Sequence, residues 1–431
     1  MAGVWPDELD LEVTGIAQGG DGVGRWQGRT VFASGALPGE YVRVRLRDRQ
    51  RSFARGETMA VLTTAPERRR SPCPLEDRCG AADWRWIDYS AQLRFKAAIL
   101  QDQMLHIGGV EREVSAVHGM GALPLRPACA AGPGWSYRTT VELHAAGDKL
   151  GYFAPDSRRV VDLPQCCLHH ALIDRALIDL RPLLNSSLGL RNVTLRCAPA
   201  NGMVLAVVEA GTSLDRLARQ WMAACPELQG VVQRHRSGFK LVRGQDYLIQ
   251  ELNGIRWHVG AGSFFQVNAE QTARLIERVA DLLKVAPGER ILDLFCGVGT
   301  FALPLAKAGA RVTGAEVYAP AIEDARRSAE LNNIQGIDWH AGAVEAVLAG
   351  LAGPYDAAVL DPPRRGCDPL ALRHLMRLRP ERIVYVACHP GTLARDCKVL
   401  SEGGYTVERI EMIDLFPQTH HVESIVLLRK S

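Results

Sequence analysis

Ile291-Leu-Asp-Leu-Phe-Cys-Gly-Val-Gly-Thr300 reads as a buried strand that turns through two glycines into a helix, FALPLAKAG. From about Glu270 onward, apolar runs of this kind (ERILDLF, ARVTGAEV, YDAAVLD, RIVYVAC) alternate with helical stretches. Such alternation makes a doubly wound parallel sheet, an α/β fold whose ligands sit at the C-terminal ends of the strands. Gly297 and Gly299 let the backbone come close to a ligand that a Cβ would obstruct. Glu316 closes the next strand, 23 residues after Asp293, where a carboxylate can accept both hydroxyls of a ribose. The third glycine of a dinucleotide fingerprint is missing, because Thr300-Phe301-Ala302 follows Gly299.

The whole chain, 431 residues with 47% hydrophobic content, exceeds what one core usually serves and predicts two or three domains. The first residues, MAGVWPDELDLEV, show no basic start followed by an apolar stretch. No apolar run reaches membrane-spanning length, which points to the cytoplasm and away from a membrane. In that reducing compartment eleven scattered cysteines are buried small residues, ligands or nucleophiles rather than a disulfide framework.

Upstream of the sheet, residues 1–66 read as a small antiparallel barrel, with short alternating strands between GGDGVGR and GALPGE turns. The net charge of +3 identifies no nucleic-acid binder, but nine arginines stand against three acids between Tyr41 and Arg70. In EYVRVRLRDR the alternation sets Arg43, Arg45, Arg47 and Arg49 on one face, either to contact phosphates or as a solvated strand face. Residues 67–262 read as a middle α+β domain that includes the cysteine segment 73–82. Its helical stretch 90–106 is able to pack on the catalytic domain, residues 263–431.

Two further motifs fall on the same edge of the parallel sheet. Asp361-Pro-Pro-Arg364 ends the strand YDAAVL, where proline stiffens the loop. Amino methyltransferases end a similar tetrapeptide in an aromatic that stacks on the target base; Arg364 in that place argues against an exocyclic nitrogen as acceptor. Cys388 ends RIVYVA ahead of a helix start at Pro390, where a helix N-terminus would stabilise a thiolate. Glu423 enters the apolar strand ESIVLL, either as a desolvated base with a raised pKa or as a salt-bridged or solvent-facing residue of an edge strand.

DLFCGVGT resembles motif I of class I (Rossmann-like) methyltransferases. Together with DPPR, ACHPGTLARD, HHVES and SFFQVN (Ser263–Asn268), in this order and spacing, it resembles the RNA 5-methyluridine methyltransferase family. The first 66 residues resemble the TRAM module, an OB-like RNA-binding barrel. The resemblance implies methylation of carbon 5 of a uridine by S-adenosylmethionine, with Cys388 adding at carbon 6 and Glu423 accepting the carbon-5 proton. It assigns Gln266, Phe295, Gly297, Gly299, Thr300, Glu316 and Asp361 to the cofactor. RNA is the implied partner, 23S rRNA before the tRNA T-loop uridine, with the chain acting as a monomer on a flipped-out base. A rival reading is an RNA-binding or rRNA-folding factor with a vestigial methyltransferase domain; another is an N-methyltransferase. The family's usual Asn after the nucleophile is His389 here, and Ala343 stands where a polar residue often meets adenine.

The resemblance also implies a [4Fe-4S] cluster on cysteines spaced C-x5-C-x2-C plus a distant one. Cys73, Cys79 and Cys166 match, but the third position is Ala82. Because four ligands are the norm, either Asp83 or another group completes the set or the cluster is absent. A zinc site lacking a ligand and inert buried thiols are the other readings.

Overall fold

The computed structural model describes residues 4–75, 78–121 and 133–431. Strands β1 (Glu8–Ile16), β2 (Gly22–Trp26), β3 (Arg29–Ser34), β4 (Tyr41–Arg49) and β5 (Phe53–Thr63) close a barrel in the order β1-β2-β3-β5-β4. Alternation fills its interior with Leu9, Leu11, Val13, Val31, Val42, Val44 and Leu46 and turns the β4 arginines outward. Each of those arginines meets an acid: Arg43 pairs with Asp10, Arg45 with Glu8, Arg47 with Glu57 and Arg49 with Asp7. The basic stripe is therefore a neutralised, solvated strand face. Three of the four acids lie on or just before β1, outside the window whose charge pointed to phosphate.

Helix α1 (Tyr89–His106) and β6 (Ala116–His118) follow. The middle domain is a seven-stranded sheet, order β13-β12-β11-β10-β7-β8-β9, of β7 (Thr140–Ala146), β8 (Lys149–Phe153), β9 (Val160–Asp162), β10 (Leu190–Ala198), β11 (Met203–Ala210), β12 (Leu228–His235) and β13 (Gly238–Gly244). Helices α2 (Ala171–Leu180) and α3 (Asp215–Ala224) share one apolar core with this sheet. A separate hairpin of β14 (Tyr247–Leu252) and β15 (Ile255–Gly260) leads into α4 (Ala269–Leu283).

The catalytic sheet combines β16 (Arg290–Leu294), β17 (Arg311–Glu316), β18 (Ile337–Ala341), β19 (Ala357–Leu360), β20 (Arg382–Ala387), β21 (Tyr405–Ile413) and β22 (Glu423–Lys430) with β6, in the order β18-β17-β16-β19-β20-β22-β21-β6. Its first five strands run parallel, and β22 is antiparallel to both neighbours. The connecting helices are α5 (Ala302–Lys307), α6 (Ala319–Leu331), α7 (Val344–Gly350), α8 (Pro369–Leu378) and α9 (Pro390–Glu402).

Three pieces of the 67–262 segment pack with this sheet rather than with the middle one. Strand β6 extends its edge beside β21. Helix α1 shares a core with Leu393, Ala394 and Leu400 of α9. Strand β15 buries Ile255, Trp257 and Val259 in the core of the opposite face, with Ile322 and Ala325 of α6. A period-2 stripe reveals that a strand has a buried face but not which layer covers it. No helix of the described residues is long and apolar enough to cross a membrane.

Candidate active site

Parallel pairing of β16 with β17 and β19 brings three loops to one edge of the sheet. After β16 the chain makes a tight turn in which Phe295 has φ +64° and Gly297 φ +53°, a conformation that costs a non-glycine residue free energy and clusters at functional sites. Ala315 O holds the turn, accepting from Phe295 N (2.8 Å) and Cys296 N (3.1 Å). The two glycines serve different ends. A Cβ on Gly297 would meet nothing within 4 Å, whereas one on Gly299 would lie 2.8 Å from Trp339. Gly297 thus leaves room for a ligand, and Gly299 allows close packing of the turn on β18.

Glu316 accepts hydrogen bonds from Gly297 N (3.3 Å) and Tyr318 N (2.8 Å), so its carboxylate is tied to the glycine turn. Gln266 is buried, shortly after the exposed Phe264 in the chain, and Thr300 is half-buried. Asp293 adds a feature beyond its spacing from Glu316. Its Oδ2 accepts from Ala302 N (2.7 Å) and its buried Oδ1 has no partner among the described residues. Burial pushes its carboxyl up to about 8. The signal was present as a carboxylate inside a strand that is otherwise apolar. Phe264 and Val317 are 66% and 68% exposed, unusually bare for large apolar side chains beside a turn. An open glycine, an unsatisfied buried carboxylate oxygen and bare apolar surface fit a cationic nucleoside ligand.

The second half of the site lies one strand over. The β20/β22 pairing ends with Ala387 against Ser424; Cys388 follows the one and Glu423 precedes the other, near enough that the Glu423 charge acts on the thiol. Glu423 is 2% exposed in a strand flanked on both sides, and it has no ion pair among the described residues. The edge-strand reading is thereby excluded. Burial, then the Asp361 charge, hold its carboxyl well above the usual range. Asp361 itself is pushed up to about 7 by burial.

Cys388 is half-buried. Burial, followed by Glu423 and Asp361, pushes its thiol up to about 12, against the pull of Arg364. His389 caps α9, with Nδ1 accepting from Thr392 N (3.2 Å), and Pro390 starts the helix. Its Nε2 lies 2.7 Å from the carboxamide of Gln18, in the β1–β2 loop of the barrel. Gln18, Arg364, Cys388, His389 and His421 line a cavity of about 260 Å³. Burial, with the charges of His420 and Arg364, lowers His421 to about 4, so it is neutral at pH 7.

The loop before Glu423 is fixed from α1. Lys96 Nζ donates to Asp414 Oδ1 (2.7 Å) and Phe416 O (2.9 Å) with both charged side chains wholly buried. Gln92 and Gln418 exchange hydrogen bonds of 2.9 Å in each direction.

The sequence model of the tRNA (uracil-5-)-methyltransferase family matches residues 215–350 and 353–431, and that of the TRAM domain matches residues 7–59. An RNA methyltransferase of Gloeobacter violaceus is 34% identical over 456 residues, covering 98% of this chain and 96% of its own. This chain belongs to the RNA uracil-5-methyltransferase family. A second relative of the same description, from Thermosynechococcus vestitus, is 32% identical over 98% of both chains. Among solved structures, the tRNA (uracil-54, C5)-methyltransferase of Pyrococcus abyssi in complex with S-adenosyl-L-homocysteine has the same fold. It matches with a TM-score of 0.75 and 24% identity over 97% of this chain and 99% of that one. As a member of the RNA uracil-5-methyltransferase family, the protein is an S-adenosylmethionine-dependent enzyme with an N-terminal TRAM barrel.

The cysteine segment does not fit the implied four-iron cluster. Cys73, Cys79 and Cys166 line one small cavity together with Ala82, which offers no donor. Asp83 faces elsewhere, hydrogen-bonded by His420 beside the catalytic cavity. Among the described residues no three donors converge as a metal site. Cys167, the fourth cysteine of that cavity, is disulfide-bonded, so the described residues there offer three free thiols against the usual four ligands. Cys166 has other company: burial alone would raise its thiol, but the neighbouring His169 and then Arg138 bring it below the usual value. His169 is in turn held by Asp174 and by the Tyr152 hydroxyl, both at 2.9 Å.

Proposed function

We propose that this enzyme methylates carbon 5 of a uridine through a transient bond between Cys388 and carbon 6. The observation that supports the proposal is that Cys388 and the buried Glu423 flank the last pair of β20 and β22, Ala387 and Ser424, with the Glu423 and Asp361 charges both acting on the thiol. Carbon 5 of uracil is a weak nucleophile until a group adds at carbon 6, and a cysteine thiolate both adds well and leaves again. Half-buried Cys388 loses its proton to water, and its sulfur adds to carbon 6 as the 5,6 double bond opens to an enolate. When bound, S-adenosylmethionine supplies the electrophilic methyl group that carbon 5 takes. Glu423, ionised at this stage, removes the carbon-5 proton; the released electron pair restores the double bond and expels the Cys388 thiolate. Gln266, Phe295, Gly297, Thr300, Glu316 and Asp361 bind the cofactor, with Gly299 supporting the turn by packing.

The substrate is a uridine in structured RNA, flipped out because a stacked base hides carbon 6 from a thiol. 23S rRNA is the reading that the barrel-containing architecture supports by resemblance. A tRNA T-loop uridine is favoured by a specific observation, namely that the Pyrococcus tRNA enzyme aligns over 99% of its own length with 97% of this chain, barrel included. Mapping 5-methyluridine in rRNA and tRNA from cells lacking this protein decides between them. For the mechanism, RNA containing 5-fluorouridine, incubated with enzyme and S-adenosylmethionine, should form a covalent complex that survives denaturation and is absent with Cys388→Ala. A complex formed equally by that variant would exclude the cysteine pathway.

A further inference from the structure

The β4 arginines are paired with acids, whereas another group of cations is not. The hairpin of β12 and β13, residues 228–244, carries Arg234, Arg236, Lys240 and Arg243 with no acid. Its charge of +4 exceeds the +3 of the entire chain. All four side chains are exposed, and none forms an ion pair with any described residue. Glu209, which feels the Arg234 charge, is engaged by Arg191 (3.3 Å) and Asn192 (3.1 Å).

Apolar surface lies beside Arg234, whereas Lys240, opposite Gln233, and Arg243, opposite Val231, stand on the other face of the hairpin. Strand β13 is the outer strand of its sheet. Its Leu241 is paired with Val232 and its Phe239 with Arg234, so the four share one face. That face is buried at Val232, against Leu248 and Ala261, and then runs into the open, where Phe239 and Leu241 are 43% and 44% exposed. Phe239 does not stand alone. A Cβ built on Gly262 would lie 2.6 Å from its ring and 2.5 Å from the Tyr318 hydroxyl. Two aromatic side chains therefore converge over the segment that continues to bare Phe264 and to Gln266, and Tyr318 follows Glu316 by two residues. Phe239 and Tyr318 thus meet at Gly262, and Tyr318 ties this end of the hairpin to the loop that carries Glu316.

Exposed cations along both faces of an outer hairpin, with an exposed aromatic ring beside one of them, suit single-stranded nucleic acid, whose phosphates pair with the charges while a splayed base stacks on the ring. A duplex would offer phosphates but keep its base faces hidden. We infer that the β12–β13 hairpin is an RNA-docking surface that holds the single-stranded segment flanking the target uridine, with a base stacked on Phe239. This assignment rests on the RNA methyltransferase reading and extends it to a surface of the middle domain.

The test uses the full-length enzyme with fluorescein-labelled 12-nucleotide oligouridine. Replacing Arg234, Arg236, Lys240 and Arg243 together by alanine should weaken binding at least tenfold at 0.1 M salt. It should also flatten the dependence of log Kd on log salt by about 0.7 for each phosphate that is no longer neutralised. Phe239→Ala should weaken binding about tenfold, and Phe239→Trp should restore it. On RNA substrate both weakened variants should raise KM and leave kcat and S-adenosylmethionine affinity unchanged. Wild-type binding by the fourfold variant would overturn the assignment and leave the patch to an acidic protein. Equal losses in Phe239→Ala and Phe239→Trp would overturn it by marking a packing role. Failure of the underlying reading shows differently, as wild-type enzyme that forms no adduct with 5-fluorouridine RNA.

Discussion

Cys388 and Cys166 are thiols whose surroundings carry opposite charge. Around Cys388 stand the carboxyls of Glu423 and Asp361, which with burial push the thiol up to about 12. Around Cys166 stand His169 and Arg138, whose pull overcomes complete burial and brings the thiol below its usual value. By thiolate content alone, Cys166 would be the better nucleophile. It sits in a small cavity lined by other cysteines and Ala82, remote in sequence from the sheet edge. Cys388 opens on a cavity of about 260 Å³ with Arg364 and His421. In the proposed mechanism, access to substrate and a base able to finish the reaction outweigh acidity in the free protein.

The largest effect expected is in Cys388→Ala, which should lower methylation on the order of 10⁴-fold or more and abolish the adduct with 5-fluorouridine RNA. Turnover close to wild type would erase the distinction between the two thiols. Glu423→Gln should slow turnover by about 10²–10⁴-fold while leaving sulfur addition and methyl transfer possible. Denaturing gels with unmodified RNA should then show a methylated covalent complex accumulating; its absence alongside the loss of turnover would move the base elsewhere.

A thiol held at about 12 is almost wholly protonated near neutrality. Its thiolate fraction therefore grows with pH across the whole accessible range. The single-turnover rate of adduct formation should rise about tenfold per unit from pH 6 to 9 with no plateau. A plateau near pH 7 would mean that the helix N-terminus at Pro390 governs the thiol after all. The smallest effect is expected from Cys166→Ser or Cys73→Ser, with activity within about twofold of wild type and no change in iron or sulfide content, since the described residues offer three free thiols beside the disulfide-bonded Cys167. About four irons per anaerobically purified chain, lost in Cys166→Ser, would show that a group beyond Cys73, Cys79 and Cys166 completes a cluster.

Much of the catalytic edge was legible from local sequence. Asp293 to Thr300, Glu316, Asp361 and Cys388 each follow an apolar run, and strands of a parallel sheet bring all such positions to one side. The roles of the two glycines were not separable, because only the packing of Trp339 distinguishes Gly299 from the open Gly297. Gln18 was invisible for a similar reason. Nothing in AQGGDG indicates that the loop crosses to His389, 371 residues away.

The sequence alone determined the fold class, the barrel and the positions proposed as nucleophile and base, because turn glycines, strand ends and motif order depend on residues close together in the chain. Charge was decided by the tertiary structure. The β4 arginines looked available within their own window, and β1 folded Asp7, Glu8 and Asp10 against them. The four cations of residues 228–244 look no different in sequence, and the fold leaves them without acidic partners among the described residues, with Arg234 on the face of the exposed Phe239. Ion pairs form between side chains that are close in space, whatever their separation along the chain, so a surface potential is a property of the folded molecule.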